Sequence, residues 1–296
     1  MRVTENVKWP QITMITAVYN GESYLEETIR SILDQGYPNL QYIIVDDGST
    51  DRTVEIIKRY EPYLKCWFSQ PNRGLYAALN AGFERSSGEI MGWLNSSDRL
   101  HYKSLFNVGS VFGTFPDVEW ITGRPTACNE DGMPVFIGDL RRWTRYSFLA
   151  GANKYIQQES TFWRRRLWER AGGRLDAKYR AEGDFELWIR FFRHARLYPV
   201  DALIGGYRFH EDALSHGNIQ KYEQGCEEIL VRELDQVRWG TWVKLFRGIG
   251  PAIKHIPKVR GFWQRVIMEG LYARGGPDRP PVIRYKLGHG WYLAEK

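Results

Sequence analysis

The sequence predicts an α/β protein with a mostly parallel sheet and helices on both of its faces. Two observations carry that reading. Over the first 100 residues, short apolar runs rich in β-branched residues alternate with segments of helical periodicity. The breaks between them fall at Gly, Pro, Asn, Asp and Ser, the residues that end helices and build turns. Strand and helix alternating at this spacing is the pattern of parallel strands joined by helical crossovers.

The elements follow in order. Ile12–Val18 reads as a buried strand. Ser23-x-x-Glu26 has the form of a capping box, and Leu25, Ile29, Ile32 and Leu33 continue with helical spacing until Gly36 and Pro38. Tyr42–Val45 is a second strand, after which Ser49 or Thr50 is expected to cap a helix carrying Val54, Ile56 and Ile57. Cys66–Phe68 is a shorter third strand, Gly74–Ser87 a helix stopped by Gly88, and Ile90–Leu94 a fourth strand. From about 105 to 210 the pattern is mixed: Gly132-x-Pro134 and Gly138 suggest turns around short strands, and Phe162–Ala171 and Asp184–Arg196 look helical.

The charge is unevenly distributed. The net +6 over 296 residues divides into two parts. Residues 238–296 hold 12 Lys/Arg and 3 Asp/Glu, a net +9, leaving 29 against 32, a net −3, for residues 1–237. The acidic balance of the front argues against a nucleic-acid-binding domain there. The three cysteines, Cys66, Cys128 and Cys226, are too few and too widely spaced for a disulfide framework or a structural zinc site, and are expected as buried free thiols. A signal-peptide pattern and a run of 18 apolar residues are both missing from the sequence, so a cytoplasmic setting is expected.

In a doubly wound parallel sheet, ligands sit outside the carboxyl ends of the strands. The polar residues that follow the strands are Tyr19 and Asn20, Asp46 and Asp47, Pro71 to Arg73, and Asn95 to Asp98. Asp46-Asp47-Gly48-Ser49 is compatible with simple turn chemistry and with recognition of a polar ligand at the sheet edge.

The ordered series of these segments resembles the family 2 glycosyltransferases, which have a GT-A (Rossmann-like) fold. The matching stretches are Thr16–Gly21, Ser31–Gln35, Val45–Asp51, Gln70–Gly82, Gly88–Asp98 and Gly183–Arg190, and together they cover about residues 10–215. The resemblance implies a GT-A catalytic domain over 1–215, with a donor-binding half at about 10–100 and an acceptor-side half at about 101–215. A helical, basic extension over 216–296 would follow it. It also implies transfer of a sugar, with inversion, from a nucleotide diphosphate sugar to a hydroxyl of a glycan or lipid-linked acceptor, in the setting of bacterial surface polysaccharide assembly.

Site residues carry over position by position. Donor contacts are expected from Ala17, Tyr19, Asp46, Asp47, Asn72, Arg73, Asn95 and Asp98. Tyr19 suits the base or ribose, either aspartate of Asp46-Asp47 suits base or ribose donors, and Arg73 suits the diphosphate. Asn95-Ser96-Ser97-Asp98 stands where the family carries its Asp-rich metal motif, with Asp98 its one full anion. A divalent cation, Mn²⁺ or Mg²⁺, is expected on Asp98 with His210 as an additional ligand or a contact to the pyrophosphate, and the thinned motif makes weak, donor-dependent or absent metal binding the expectation. Asp184 takes the position of the general base, with Glu182 the near alternative and a helix N-cap the ordinary structural one. Glu159 suits either sugar hydroxyls or a buried carboxyl pair, and Trp93 suits the core.

The tail carries recurring apolar and aromatic residues, many of them three or four positions apart, from Trp242 through Phe246, Ile249, Ile253 and Phe262 to Leu271, with basic residues between and breaks at Pro251 and Pro257. This suits short helices, either packed on the catalytic domain or lying on an anionic membrane surface. Two other functional classes fit the pattern less well: a nucleotide-sugar-binding protein that has lost activity, and a nucleotidyltransferase, whose Gly-rich, Lys-containing phosphate loop is missing here.

Overall fold

A computed structural model describes residues 9–71, 73–149, 155–210, 219–237 and 280–294. The strands are β1 (Ile12–Val18), β2 (Leu40–Asp46), β3 (Cys66–Ser69), β4 (Ile90–Trp93), β5 (Arg99–Leu100), β6 (Trp120–Arg124) and β7 (Thr126–Cys128). They continue with β8 (Pro134–Ile137), β9 (Thr161–Arg164), β10 (Leu197–Leu203), β11 (Gly205–Arg208), β12 (Val282–Lys286) and β13 (Gly290–Ala294). The helices are α1 (Leu25–Leu33), α2 (Thr53–Tyr60), α3 (Leu75–Glu84), α4 (Ser104–Thr114), α5 (Arg145–Leu149), α6 (Arg165–Arg170), α7 (Gly183–His194) and α8 (Ile219–Gln236).

Nine strands form one sheet in the order β13-β12-β10-β6-β9-β4-β1-β2-β3. The pairs β1–β2, β1–β4, β2–β3, β10–β6 and β10–β12 are parallel, while β9 runs antiparallel between β4 and β6. β1 explains why the sheet has helices on both faces. Its side chains alternate: Ile15 and Ala17 enter one core, Ile12, Met14 and Val18 the other. Leu79 and Phe83 of α3 and Phe185 to Phe192 of α7 complete the first core. Ile29 and Ile32 of α1, Ile57 of α2 and Val108 of α4 complete the second. A smaller sheet, β5-β11-β7-β8, stands apart from the nine-stranded one.

Several local expectations are corrected. Phe162–Arg164 is strand β9 rather than helix, and the helix begins only at Arg165. All four β9 side chains are buried and the strand is paired with β4 on one edge and β6 on the other, which outweighs their helical spacing. The Ser23/Glu26 capping box does not form. α1 starts after Tyr24 without a side-chain cap, and Glu26 instead binds Arg59 and Tyr60 of α2. Ser49 and Thr50 do not cap α2 either; Ser49 Oγ and the Thr50 N–H bind Asn20. Cys128 and Cys226 are buried free thiols as expected, and Cys66 is a half-buried one.

The sequence did not anticipate β12 and β13. Ile283 pairs with Val200 of β10 and is fully buried, so this part of the basic tail extends the main sheet as a hairpin. α8 also packs into the first core through Cys226, Ile229, Leu230 and Leu234, and Glu233 pairs with Arg145 and Arg193. The amphipathic pattern from Trp239 to Leu271 lies outside the described residues. Among the described residues no helix is long and apolar enough to cross a membrane.

Candidate functional site

The parallel strands β1, β2 and β4 end together. Their trailing loops line a cleft of about 1540 Å³, closed on other sides by the small sheet, the 155–159 segment and the start of α7. The first two loops are interlocked. Asn20 has a left-handed backbone with φ of 48°, a conformation asparagine tolerates better than most residues. It exchanges hydrogen bonds with Ser49 and Thr50 at 2.8 Å each. The Gly21 and Glu22 N–H groups donate to Thr53 Oγ1 and Asp51 Oδ2.

Most of the residues expected from the sequence meet in this cleft: Ala17, Tyr19, Asp47, Asn95, Asp98, Asp184 and His210 all line it. Tyr19 is 52% exposed there, an aromatic face open to a ligand. Asp46 is fully buried and does not line the cleft; its carboxylate accepts from the Ser49 N–H and from Ser69 Oγ. Asp47 holds the start of α3 by accepting the Gly74 N–H at 2.8 Å, the Arg73 N–H and Gln70 Nε2. Both aspartates therefore do turn work, and Asp47 alone of the two also faces the cleft. Arg73 has an exposed side chain outside the cleft lining. Asn72 lies outside the described residues.

Asp184 occupies the first turn of α7, where the helix N-terminus favours negative charge. The cap is Glu182 rather than Asp184, without a side-chain capping bond. Asp184 Oδ1 accepts the Phe185 N–H at 2.7 Å. Burial pushes its carboxyl up to about 7, with the Glu182 charge adding in the same direction and the backbone N–H groups opposing. Its position depends on Tyr76. The Tyr76 hydroxyl donates to Ala181 O at 2.8 Å. The Tyr76 ring lies so close to Gly183 that a Cβ there would come within 2.6 Å of it.

Asp98 is 1% exposed. Oδ1 accepts the Arg208 N–H at 2.9 Å and Oδ2 accepts Asn95 Nδ2 at 3.0 Å. Glu159, also buried, hydrogen-bonds Asp98 with its carboxyl. Burial raises both groups, and the charges of Asp98 and Asp184 raise Glu159 further. Burial and these neighbouring charges favour the neutral form of Glu159, which also lines the cleft. Trp93 is 2% exposed and packs on Trp163 and Trp188, as a core residue does.

The site contains features that sequence reading missed. Arg208 beneath the Asn95–Asp98 loop, Tyr24 against His210, and Tyr76 beneath Gly183 are remote in sequence from what they support. In the run Tyr207-Arg208-Phe209-His210 the arginine is the sequence signal for the first of these, two residues before the histidine.

The chemistry of the donor set decides whether a divalent cation fits. Among the described residues no group of three or more His, Cys, Asp and Glu side chains is placed to hold one. Asn95 Oδ1 is nonetheless a buried acceptor with no hydrogen-bond partner, beside the Asp98 carboxylate it is tied to. A hard cation suits such an oxygen pair, and His210 lines the same cleft. Asn95 Oδ1 and Asp98 therefore fit a cation that takes its remaining ligands from a bound molecule.

Comparison with known proteins places this geometry. Residues 13–108 match the model of glycosyl transferase family 2. A putative teichuronic acid biosynthesis glycosyltransferase, TuaG of Bacillus subtilis, is 38% identical over 93 residues, which are 30% of this chain and 37% of that protein. Curated relatives are spanned to different extents, some over 70% of their length and others over 37%. Among solved structures, S. aureus TarS 1–349 in complex with UDP-GlcNAc superposes with a TM-score of 0.61 at 17% identity, over 76% of this chain and 66% of that one. The mannosyltransferase PcManGT from Pyrobaculum calidifontis, in complex with GDP-Man and Mn²⁺, gives 0.56 at 17% identity over 92% and 77%. At these identities the structural likeness is one of fold.

Proposed function

We propose, from the premise that this chain carries a glycosyl transferase family 2 domain on a GT-A fold, that it transfers a sugar with inversion from a nucleoside diphosphate sugar to an acceptor hydroxyl. The acceptor in this reading is a glycan or lipid-linked sugar in cell-surface polysaccharide assembly, a setting supported by the likeness to TuaG, a putative glycosyltransferase of teichuronic acid biosynthesis. The observation that carries the reading is Asp184. It is a carboxyl pushed up to about 7, at a helix N-terminus, lining the same cleft as Tyr19, Asp47 and Asp98. A carboxylate with such a pKa is half ionised near neutral pH and is a competent base there.

In this reading Tyr19 and Asp47 receive the nucleoside, and Asp98 stands at the diphosphate. Asp184 accepts the proton of the acceptor hydroxyl as that oxygen attacks the anomeric carbon. The bond from that carbon to the diphosphate oxygen breaks on the opposite face, and the nucleoside diphosphate leaves with the electron pair. Asp98 and Asn95 Oδ1, with His210, would hold a divalent cation, which when bound supplies charge neutralisation to the departing diphosphate. Glu159, held protonated, keeps a third negative charge out of the region that must accept an anionic donor. Within residues 239–296, the stretch from Trp242 to Leu271 is the proposed contact with an anionic membrane surface, since the β12–β13 hairpin belongs to the main sheet; co-sedimentation with anionic liposomes, comparing the full chain with a variant in which Lys244, Arg247, Lys254, Lys258, Arg260 and Arg265 are changed to Gln, tests this.

The test of the donor site is a thermal-shift panel of UDP, GDP, dTDP and CDP, each with and without Mn²⁺. A nucleotide at 100 times its dissociation constant stabilises by about 2.7 kcal/mol. One nucleotide that stands out, with a larger shift in Mn²⁺, is the expected result. No shift from any of the four rejects the donor-site reading.

A further inference from the structure

Arg208 lies in β11, two residues before His210, and is fully buried. It does not line the cleft, although its neighbours Tyr207, Phe209 and His210 do. Its backbone N–H donates to Asp98 Oδ1. Its guanidinium draws together several separate pieces of chain. Nε donates to Ser97 O at 2.7 Å, within the Asn95–Asp98 loop. Nη1 donates to the carbonyls of Asn129 and Glu130, in the turn after β7. Nη2 donates to the Glu27 carboxylate of α1 at 2.6 Å. Its flat face covers the Tyr24 ring at 4.9 Å, and Tyr24 packs against His210 with ring centres 5.0 Å apart.

A buried guanidinium is expensive unless every donor is engaged, and apolar residues usually replace such pairs at no loss of stability. Nothing in packing alone calls for this cation. What it does supply is geometry. One planar fork fixes the loop carrying Asp98, the end of the strand that leads to His210 and the aromatic ring behind that histidine. The loop has a single full anion, so the aim of Asp98 has no second carboxylate to fall back on.

We propose that Arg208 is a positioning residue for the diphosphate end of the donor site. It acts through Asp98 and through the Tyr24–His210 pair, and touches no donor atom itself. The proposal rests on the donor-site reading above. Lysine keeps the charge but cannot reach the loop, the turn and Glu27 from one nitrogen.

The experiment compares wild type, Arg208→Lys and Glu27→Gln below the melting transition of each, by calorimetry. It uses the nucleoside diphosphate that the wild type binds and the matching nucleoside, which has no phosphates. The quantity read is the preference for the diphosphate over the nucleoside. Loss of a residue that orients a ligand from behind typically costs about 10- to 100-fold. Arg208→Lys is expected to lose at least about tenfold of the preference, with nucleoside affinity unchanged, and Glu27→Gln a smaller part. A merely structural role lowers the melting temperature and leaves the preference alone; a preference within twofold of wild type in the folded variants overturns the proposal. If Arg208→Lys does not fold, Glu27→Gln decides by the same criterion. A wild type that binds none of the four nucleoside diphosphates overturns the donor-site reading instead.

Discussion

Asp184→Asn separates chemistry from stability at one atom. The amide keeps an oxygen able to accept the Phe185 N–H, so the start of α7 is preserved. The folded carboxyl sits at about 7 against an ordinary value of 3.8. Between about pH 4 and 7 the folded protein therefore holds a proton that the unfolded chain has released, and stability falls as pH rises through that window. Above pH 7 the full cost is felt. Three pKa units correspond to about 4 kcal/mol as a ceiling, and incomplete burial reduces it. The amide carries no charge and removes that cost, so Asp184→Asn is expected to melt higher than wild type at pH 8 and about equally at pH 4. Turnover moves oppositely: loss of a positioned base costs about 10²- to 10⁴-fold. In the wild type, the ionised fraction climbs from about one-tenth at pH 6 to nine-tenths at pH 8, so kcat/KM should rise nearly tenfold over that range. The assays are scanning calorimetry at both pH values and release of nucleoside diphosphate across the pH series. A mutant that turns over normally, or one less stable than wild type at pH 8, refutes the reasoning.

Other perturbations have definite expected outcomes. Gly183→Ala places a methyl within 2.6 Å of the Tyr76 ring; overpacking of this kind costs about 1–3 kcal/mol, and urea melts with activity assays should show both stability and turnover falling. Tyr76→Phe removes only the bond to Ala181 O, at about 0.5–1.5 kcal/mol, with kcat lowered more than nucleotide affinity. Asp47→Ala strands the Arg73 and Gly74 N–H groups, costing about 1–3 kcal/mol, and weakens nucleoside binding measured by calorimetry. Asp98→Asn should abolish any Mn²⁺-dependent gain in nucleotide binding; a gain equal to wild type in the thermal-shift panel rejects Asp98 as a ligand.

The parts of the fold legible in the sequence were those with local causes. β1 to β4 and the helices between them announce themselves because buried strands and amphipathic helices repeat apolar residues at their own periods. Errors arose where partners override period. Phe162–Arg164 has helical spacing, yet β4 and β6 offer its backbone two ladders. Ser23 and Glu26 have the spacing of a cap, yet Arg59 and Tyr60 of the neighbouring helix compete successfully for the glutamate. Val282 and Ile283 gain their meaning only from the open edge of β10, some 80 residues earlier in the chain.

The same division runs through the site. By itself the sequence determined, with Asp184 and His210 supplied by its resemblance to family 2 glycosyltransferases, that polar residues cluster after the strands of a parallel sheet, Tyr19, Asp47 and Asp98 among them. That follows from chain direction, since every parallel strand delivers its carboxyl end to one edge. Only the tertiary structure decided which of these carboxyls hold a proton, because burial and neighbours set a pKa and neither is a local property. It paired Asp98 with Glu159, committed Asp46 wholly to its turn and Asp47 partly to the start of α3, and drove a buried Arg208 beneath the Asn95–Asp98 loop from 110 residues away. Hydrogen bonds and charges act over a few ångströms of space, whatever the separation along the chain.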